Sequence, residues 1–188
     1  MPMLRPLFLI GVALLIFAPR AEALTLPKST DGFYRTGNGI RYKKVLLIDV
    51  QVYHATHEMK MIPNPPTRRN IILADVDKRT TITMLRDVDI EDILEGIRAG
   101  YAMNDYTDES VLQKFLAPLT EDLAEGETFR ISYDAETQTT SLLTRRGKSV
   151  IPGKEFMHAT WATWFQNHER PELTDELMKN LLPSEGAR

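Results

Sequence analysis

The stretch GNGIRYKKVLLIDVQVY, residues 37–53, decides what kind of fold the chain can form. Gly37 and Gly39 predict a turn, and the residues rich in Val, Leu, Ile and Tyr that follow predict one long β-strand over residues 41–54. On a single regular strand, Arg41 and Tyr53 share a face because side chains alternate. Tyr53 follows Arg41 by 12 positions, a distance of about 40 Å when the chain is extended, and no glycine or proline marks a turn between them. We therefore expect the two side chains to lie far apart.

Outward from this stretch, strands and helices come in blocks. The loop signal is the proline-rich run at residues 62–70. Strands are predicted at residues 70–76, 79–88, 128–134 and 139–147, and helices at residues 87–104, 107–119, 154–168 and 174–182, the last capped by Thr174. Such blocks indicate the α+β class, an open-faced sandwich in which a large antiparallel sheet carries helices on one face.

The first 23 residues have the pattern of a secretory signal peptide. Arg5 precedes an unbroken apolar run at residues 7–18, and Ala21-Glu22-Ala23 forms a small-x-small cleavage site. The apolar run is short for a bilayer span. We therefore expect a signal peptide over residues 1–23, a single domain over residues 24–188, a periplasmic location, and no stable membrane insertion after cleavage.

Charge and composition exclude several classes of function. The formal net charge is −3 and no basic run is present, which disfavours nucleic acid as a partner. The chain has no cysteine, so disulfides, thiolate metal sites and cysteine nucleophiles are ruled out. His54 and His57 are three residues apart, which on a strand points them to opposite faces and is poor spacing for one metal ion. We expect neither a metal nor a cofactor.

Two motifs resemble those of chalcone isomerase-like domains. GNGIRYKK at residues 37–44 is similar to that family's G-x-G-x-R-x-K opening, and QVY at residues 51–53 stands where the family has Gly-Val-Tyr or Gly-Leu-Tyr. GKSVIPGKEFMHATWATWFQ at residues 147–166 is similar to its closing strand and Trp-containing helix. The resemblance covers roughly residues 30–183 and looks closest to the secreted bacterial branch. It implies a ligand cleft between sheet and helices.

The resemblance also implies a division between enzymes and binding proteins. Plant members isomerise chalcones without a cofactor, and related non-enzymatic members bind fatty acids in the same cleft. The enzymes' cleft threonine falls on Ile48 here, and the Tyr and Asn that they carry seven apart on a helix are absent, since Tyr101 and Asn104 are three apart. These departures argue against a chalcone isomerase activity, so we assign no catalytic residue.

Three residues are predicted to bind the ligand: Arg41, Tyr53 and Trp161. Arg41 matches the family's ligand-facing arginine, and a guanidinium in a partly dry cleft binds a carboxylate through two parallel hydrogen bonds. The alternative is an ion pair at the end of the sheet, for example with Asp49. Tyr53 is a second candidate whose alternative is a place in the core. Helix spacing makes Trp161 or Trp164 a core residue, and Trp161 is the one predicted to be exposed to the cleft.

Three functions remain open from the sequence. The first is a non-catalytic protein that binds a fatty-acid-like or other amphipathic anion, with its anionic end near Arg41. The second is a cofactor-free isomerase or intramolecular lyase acting on a phenolic or enone substrate. The third is an envelope protein-interaction module, whose protein partner the sequence does not identify. An open apolar cleft next to Arg41 favours the first function, a Tyr or Asn within reach of Arg41's ligand favours the second, and a fully packed cleft favours the third.

Overall fold

In the computed structural model, which describes residues 26–181, a six-stranded antiparallel sheet has its strands in sequence order. Each strand is hydrogen-bonded to the next strand along the chain, and all five of these pairs are antiparallel. The strands are β1 (Tyr34–Val45), β2 (Ile48–Met59), β3 (Lys78–Met84), β4 (Thr128–Asp134), β5 (Thr139–Thr144) and β6 (Gly147–Pro152).

Helices cover one face of this sheet. They are α1 (Arg68–Leu73), α2 (Ile90–Ala102), α3 (Glu109–Leu116), α4 (Lys154–Phe165) and α5 (Pro171–Met178), followed by a 3-10 turn, Lys179–Leu181. Burial alternates along β3, where Ile82 and Met84 are buried while Thr81 and Thr83 on the other face are partly exposed. The chain therefore has the predicted α+β open-faced architecture, with its core between the sheet and the helices.

The long strand predicted over residues 41–54 is wrong, because the chain folds back at Leu46 and Leu47 to form a hairpin of β1 and β2. Leu46 has a φ of 57°, in the left-handed region that glycine or asparagine usually occupies in hairpin turns. Leu46 and Leu47 are 92% and 91% exposed. The hairpin turn therefore contains none of the residue types by which a turn is recognised in sequence.

Gly37 and Gly39 do not form the predicted turn either; they lie inside β1, where α5 crosses the strand. A Cβ on Gly37 would stand 2.2 Å from the backbone oxygen of Glu176, and one on Gly39 would stand 2.8 Å from the side chain of Leu173. The glycines are there because α5 lies directly against the strand, with its backbone at Gly37 and its side chains at Gly39.

Two more predicted elements are corrected. The strand predicted at residues 70–76 is helix α1, whose first turn is capped by the side chain of Thr67 and whose last carbonyls, on Ile71 and Ile72, accept hydrogen bonds from buried Lys78 at 2.8 Å. Burial lowers the pKa of Lys78 to about 7. The strand predicted at residues 139–147 is a hairpin of β5 and β6.

The last helix begins earlier than predicted. α5 starts at Pro171, which needs no hydrogen-bond partner for its nitrogen, so Thr174 lies inside the helix rather than at its cap. The Thr174 hydroxyl instead donates to the carbonyl of Trp164 at 2.7 Å. This bond fixes α5 to the end of α4.

A buried chain of hydrogen bonds connects the sheet to α4 and α5. The indole N–H of Trp161 donates to Nε2 of His57 at 2.9 Å, so the proton of the neutral ring belongs on Nδ1. Nδ1 lies 2.6 Å from the hydroxyl of Thr36, and that hydroxyl donates to the carbonyl of Leu177 at 2.8 Å. All three side chains are fully buried. Burial, with a smaller effect from Lys78, lowers the pKa of His57 to about 3, so the ring is neutral in the folded protein.

The predicted signal peptide, residues 1–23, lies outside the described residues. None of the helices within residues 26–181 has the length and apolar content that crossing a membrane requires.

The close approach of α5 makes Gly37 sensitive to a single added methyl group. We expect Gly37→Ala to lower the free energy of unfolding by about 2–4 kcal/mol, because the new Cβ meets backbone rather than a movable side chain. The matched control is Gly96→Ala on α2, where nothing lies within 4 Å of the added Cβ. That change should raise stability by about 0.5–1 kcal/mol. Urea unfolding checks both values, and equal effects at the two sites would contradict the packing of α5 on β1.

The neutral state of His57 predicts a pH dependence of stability. Below a pH of about 6.5 the unfolded chain binds a proton on this ring and the folded chain does not, so the protein loses stability as the pH falls towards 3. Between pH 7 and pH 5 the wild type should lose about 2 kcal/mol more than His57→Gln. Urea unfolding at the two pH values measures this difference. An equal loss in both proteins would mean that the fold does not lower the pKa of His57.

Candidate functional site

A cleft of ≈ 370 Å³ lies between the inner face of the sheet and helices α2 and α4. Its volume is within the range of small-molecule sites. Apolar side chains from both layers form its walls: Val52, Ile82, Val88, Ile93, Ile97, Phe129, Ile131 and Trp164.

Two glycines on α2 leave room for the cleft. Gly96 and Gly100 are four residues apart, so they lie on the same face of the helix, and both line the cavity. A Cβ on Gly96 would meet nothing within 4 Å, whereas one on Gly100 would reach the side chain of Thr163 on α4 at 3.6 Å. The four-residue spacing of these glycines is visible in the sequence, but it was not recognised there as marking the wall of a cleft.

One polar pair lies deep in the cleft, and its hydrogen bonds are already made. The Tyr101 hydroxyl lies 2.8 Å from Oγ1 of Thr160, whose own hydroxyl donates to the carbonyl of Phe156 at 2.7 Å. Tyr101 is 2% exposed, and burial raises the pKa of its phenol well above the usual value. Tyr101 is therefore a neutral phenol whose proton is directed at Thr160.

The mouth of the cleft carries Arg41 and Tyr53, which the hairpin makes direct cross-strand partners. The expectation that they lie far apart is wrong, because it assumed a single strand. Both side chains line the cavity, and the Arg41 side chain is 15% exposed. The guanidinium therefore borders an apolar cavity instead of standing in bulk water.

The guanidinium of Arg41 already has an anionic partner. Its Nη2 donates to the carboxylate of Glu169, and its Nη1 donates to the carbonyl of Tyr42. Glu169 is in the segment after α4 and its side chain is 69% exposed. Asp49, the partner considered from the sequence, instead accepts from Arg170 at 2.6 Å. Glu169 was not identified from the sequence, since its proximity to Arg41 depends on how α4 lies over the sheet.

A second ion pair stands beside the first. Nζ of Lys43 lies 2.8 Å from the carboxylate of Asp92 on α2, and both side chains are about half exposed. Exposed pairs of this kind contribute little to stability. The mouth thus carries charges of both signs, while the interior of the cleft is apolar.

Tyr53 presents a neutral hydroxyl at this mouth. Its ring packs edge-on against Trp164, with centroids 6.4 Å apart. Burial raises the pKa of Tyr53 to about 12, against the opposing effect of nearby Arg41. Among residues 26–181, no side chain or carbonyl is hydrogen-bonded to this hydroxyl. The phenol is therefore protonated at neutral pH, with its O–H available to an acceptor in the cleft.

The two tryptophans of α4 have the opposite roles from those predicted. Trp161 is 0% exposed and lies in the core, where it donates to His57 and where Lys78 stands 4.8 Å from its ring. Trp164, three residues later, is on the cleft wall. α4 is buried on most of its surface, so its spacing did not show which side faces the cavity.

Two positions at which the sequence departs from the enzymes are Ile48 and Asn104. Ile48 lies away from the cleft, and the side chain of Asn104 is hydrogen-bonded within the protein. Ile48 is 68% exposed at the tip of the β1–β2 hairpin. The side chain of Asn104 donates to the carbonyl of Asn167 at 2.9 Å and accepts from its N–H at 3.0 Å. Asn104 therefore joins the ends of α2 and α4.

The histidines of β2 are separated as their spacing predicts, with His57 facing the core and His54 bonded to Asn38 at 2.9 Å. Within the described part of the chain, no group of three or more His, Cys, Asp and Glu side chains is arranged to hold a metal ion.

Comparisons with known proteins agree with this architecture. A family model described as chalcone isomerase-like matches residues 32–182. A comparison with curated protein sequences finds no match to this chain. Among solved structures, the chain is similar to the Arabidopsis thaliana fatty-acid binding protein AtFAP1, with a TM-score of 0.66 and 12% identity over 82% of this chain and 90% of that one. At this identity the likeness shows the fold alone.

Proposed function

The chain belongs to the chalcone isomerase-like family, and we propose that it binds a fatty-acid-like or other amphipathic anion in its cleft without transforming it. One observation carries the proposal: an apolar cavity of ≈ 370 Å³ whose mouth is bordered by a poorly exposed arginine, Arg41. An apolar interior with a cation at its entrance is complementary to a molecule that has a hydrocarbon chain and an anionic end.

The hydrocarbon chain would lie against the walls formed by β2, β3, β4 and α2. Each methylene group that leaves water contributes about 0.8 kcal/mol. The cavity is near the lower end of the usual range for ligand sites, which favours a chain of medium length. Decanoate is a suitable probe for this reason.

The anionic end would be held by two donors. The Arg41 guanidinium offers a planar fork of N–H groups, and the Tyr53 hydroxyl on the opposite strand has its proton free. A carboxylate at the mouth would accept from both. Because Arg41 is 15% exposed, this charge-assisted bond is less screened by water than one on an open surface.

Tyr53 lies within reach of a ligand at Arg41, which is the arrangement that would favour a cofactor-free isomerase, but the chemistry of the site's phenols argues against that alternative. General acid–base catalysis needs a group whose pKa lies near the working pH. The pKa of Tyr53 is raised to about 12 and that of Tyr101 is raised further by burial, so neither phenol exchanges its proton readily at neutral pH. An open cavity likewise disfavours the alternative of a protein-interaction module with a packed cleft.

Two further observations support the proposal. The structurally similar AtFAP1 is a fatty-acid binding protein by its title, and it shares the fold in which the cleft lies. The signal-peptide pattern of residues 1–23 supports a periplasmic location, which we include in the proposal together with the secreted bacterial branch of the family.

The proposal predicts that decanoate binds in a manner that depends on Arg41. In isothermal titration, Arg41→Gln should weaken decanoate binding by about 10- to 100-fold, because it removes the cation but keeps an unbranched polar side chain. The effect on decanol, which has the same chain and no charge, should be small.

The matched control is Arg170→Gln. Arg170 is also ion-paired at this end of the protein, but it is outside the wall of the cleft, so its loss should leave decanoate affinity within about twofold of the wild type. If the wild type binds no decanoate, or if both substitutions weaken it equally, the proposed function is wrong.

A further inference from the structure

We propose that Glu169 occupies the place of the ligand's carboxylate in the empty protein and must be displaced when an anionic ligand binds. Glu169 would then be the residue that sets how strongly the cleft prefers an anionic amphiphile to a neutral one. This inference rests on the proposed function, because it concerns the same arginine and the same cleft.

The contacts of Arg41 support competition at one position. Glu169 and Arg41 both line the cavity, and the carboxylate of Glu169 accepts a hydrogen bond from Nη2 of the guanidinium. The other terminal nitrogen, Nη1, is bonded to the carbonyl of Tyr42. The guanidinium keeps further N–H groups, but a ligand carboxylate that reaches them from the cavity stands beside the carboxylate of Glu169 and competes with it for a single positive charge.

Glu169 is much more exposed to solvent than Arg41, as its displacement by a ligand requires. The Glu169 side chain is 69% exposed, whereas that of Arg41 is 15% exposed. Glu169 can therefore be released into water and regain its hydration at low cost. Arg41, which stays beside the cavity, would lose its charge partner unless an incoming anion replaced it.

The backbone around Glu169 is held independently of the ion pair. Asn167 is bonded to Asn104 through both its N–H and its carbonyl. The N–H of Arg170 also donates to the ring of His168 at 3.0 Å. Release of Glu169 therefore needs a change of its side chain alone, and the segment between α4 and α5 can stay in place.

Competition with Glu169 lowers the affinity of anionic ligands but not that of neutral ones. An anionic ligand competes with Glu169 for the charge of Arg41 and is repelled by its carboxylate until that side chain moves away, so its net affinity is lower than the headgroup contact alone would give. A neutral amphiphile of the same length can leave the pair intact. Removal of the carboxylate of Glu169 should therefore strengthen the binding of anions and leave neutral ligands unaffected.

The test compares Glu169→Gln with the wild type, using decanoate and decanol in isothermal titration. We expect decanoate affinity to rise about three- to tenfold and decanol affinity to stay within about twofold. The control is Asp49→Asn, which removes an equally exposed, arginine-paired carboxylate outside the cleft wall. It should change neither affinity by more than about twofold, which separates competition at Arg41 from a general loss of negative charge.

The outcomes distinguish this inference from the function on which it rests. Decanoate affinity that is unchanged or lower in Glu169→Gln overturns the inference, as does an equal gain for decanol or for Asp49→Asn. In those cases decanoate binding by the wild type that is lost in Arg41→Gln would still support the proposed function. If the wild type binds no decanoate at all, the proposed function fails and the inference fails with it.

Discussion

The antiparallel pairing of β1 with β2 is the constraint on which the candidate site depends. It sets Arg41 directly opposite Tyr53 and turns both towards the helices. The pairing is held in place by α5, whose backbone lies against Gly37 and whose side chains lie against Gly39 so closely that a methyl group would not fit at either position. Gly37 and Gly39 allow α5 to pack against β1, and this packing fixes the strand that carries Arg41. The two glycines and the arginine of this short motif are therefore structurally linked.

Two sets of polar groups separate stability from function. His57, Thr36 and Trp161 are buried with hydrogen bonds to protein partners, and they join the sheet to α4 and α5. Buried Thr160 likewise joins α4 to Tyr101 on α2. The groups at the mouth of the cleft are held less completely. Tyr53 carries a proton with no protein acceptor among the described residues, and Arg41 is bonded to a carboxylate that is mostly in water. A ligand in the apolar cavity can therefore form hydrogen bonds with these donors that the protein itself does not fully provide.

The sequence was sufficient for the fold class, because blocks of strands and helices leave few ways to cover one sheet. It also singled out Arg41, which lines the cleft, as a candidate ligand-binding residue, and that role stays a prediction. The misplaced elements have causes that residue type and spacing do not reveal. The turn at Leu46 has a leucine where glycine is usual, α1 is closed by Lys78 from the next strand, and the choice between Trp161 and Trp164 depends on how α4 rotates against the sheet. The proximity of Glu169 to Arg41, 128 residues apart, has no local signal at all.

The most direct test of the account is a crystal structure of the protein with ω-bromodecanoate, in which the anomalous signal of bromine locates the end of the chain. The proposed binding mode predicts bromine inside the cleft, among Ile82, Phe129 and Ile131. It also predicts the carboxylate at hydrogen-bonding distance from Arg41, with the side chain of Glu169 turned into solvent. Bromine at the mouth with the carboxylate buried, or a ligand bound outside the cleft with the Arg41–Glu169 pair intact, would contradict it.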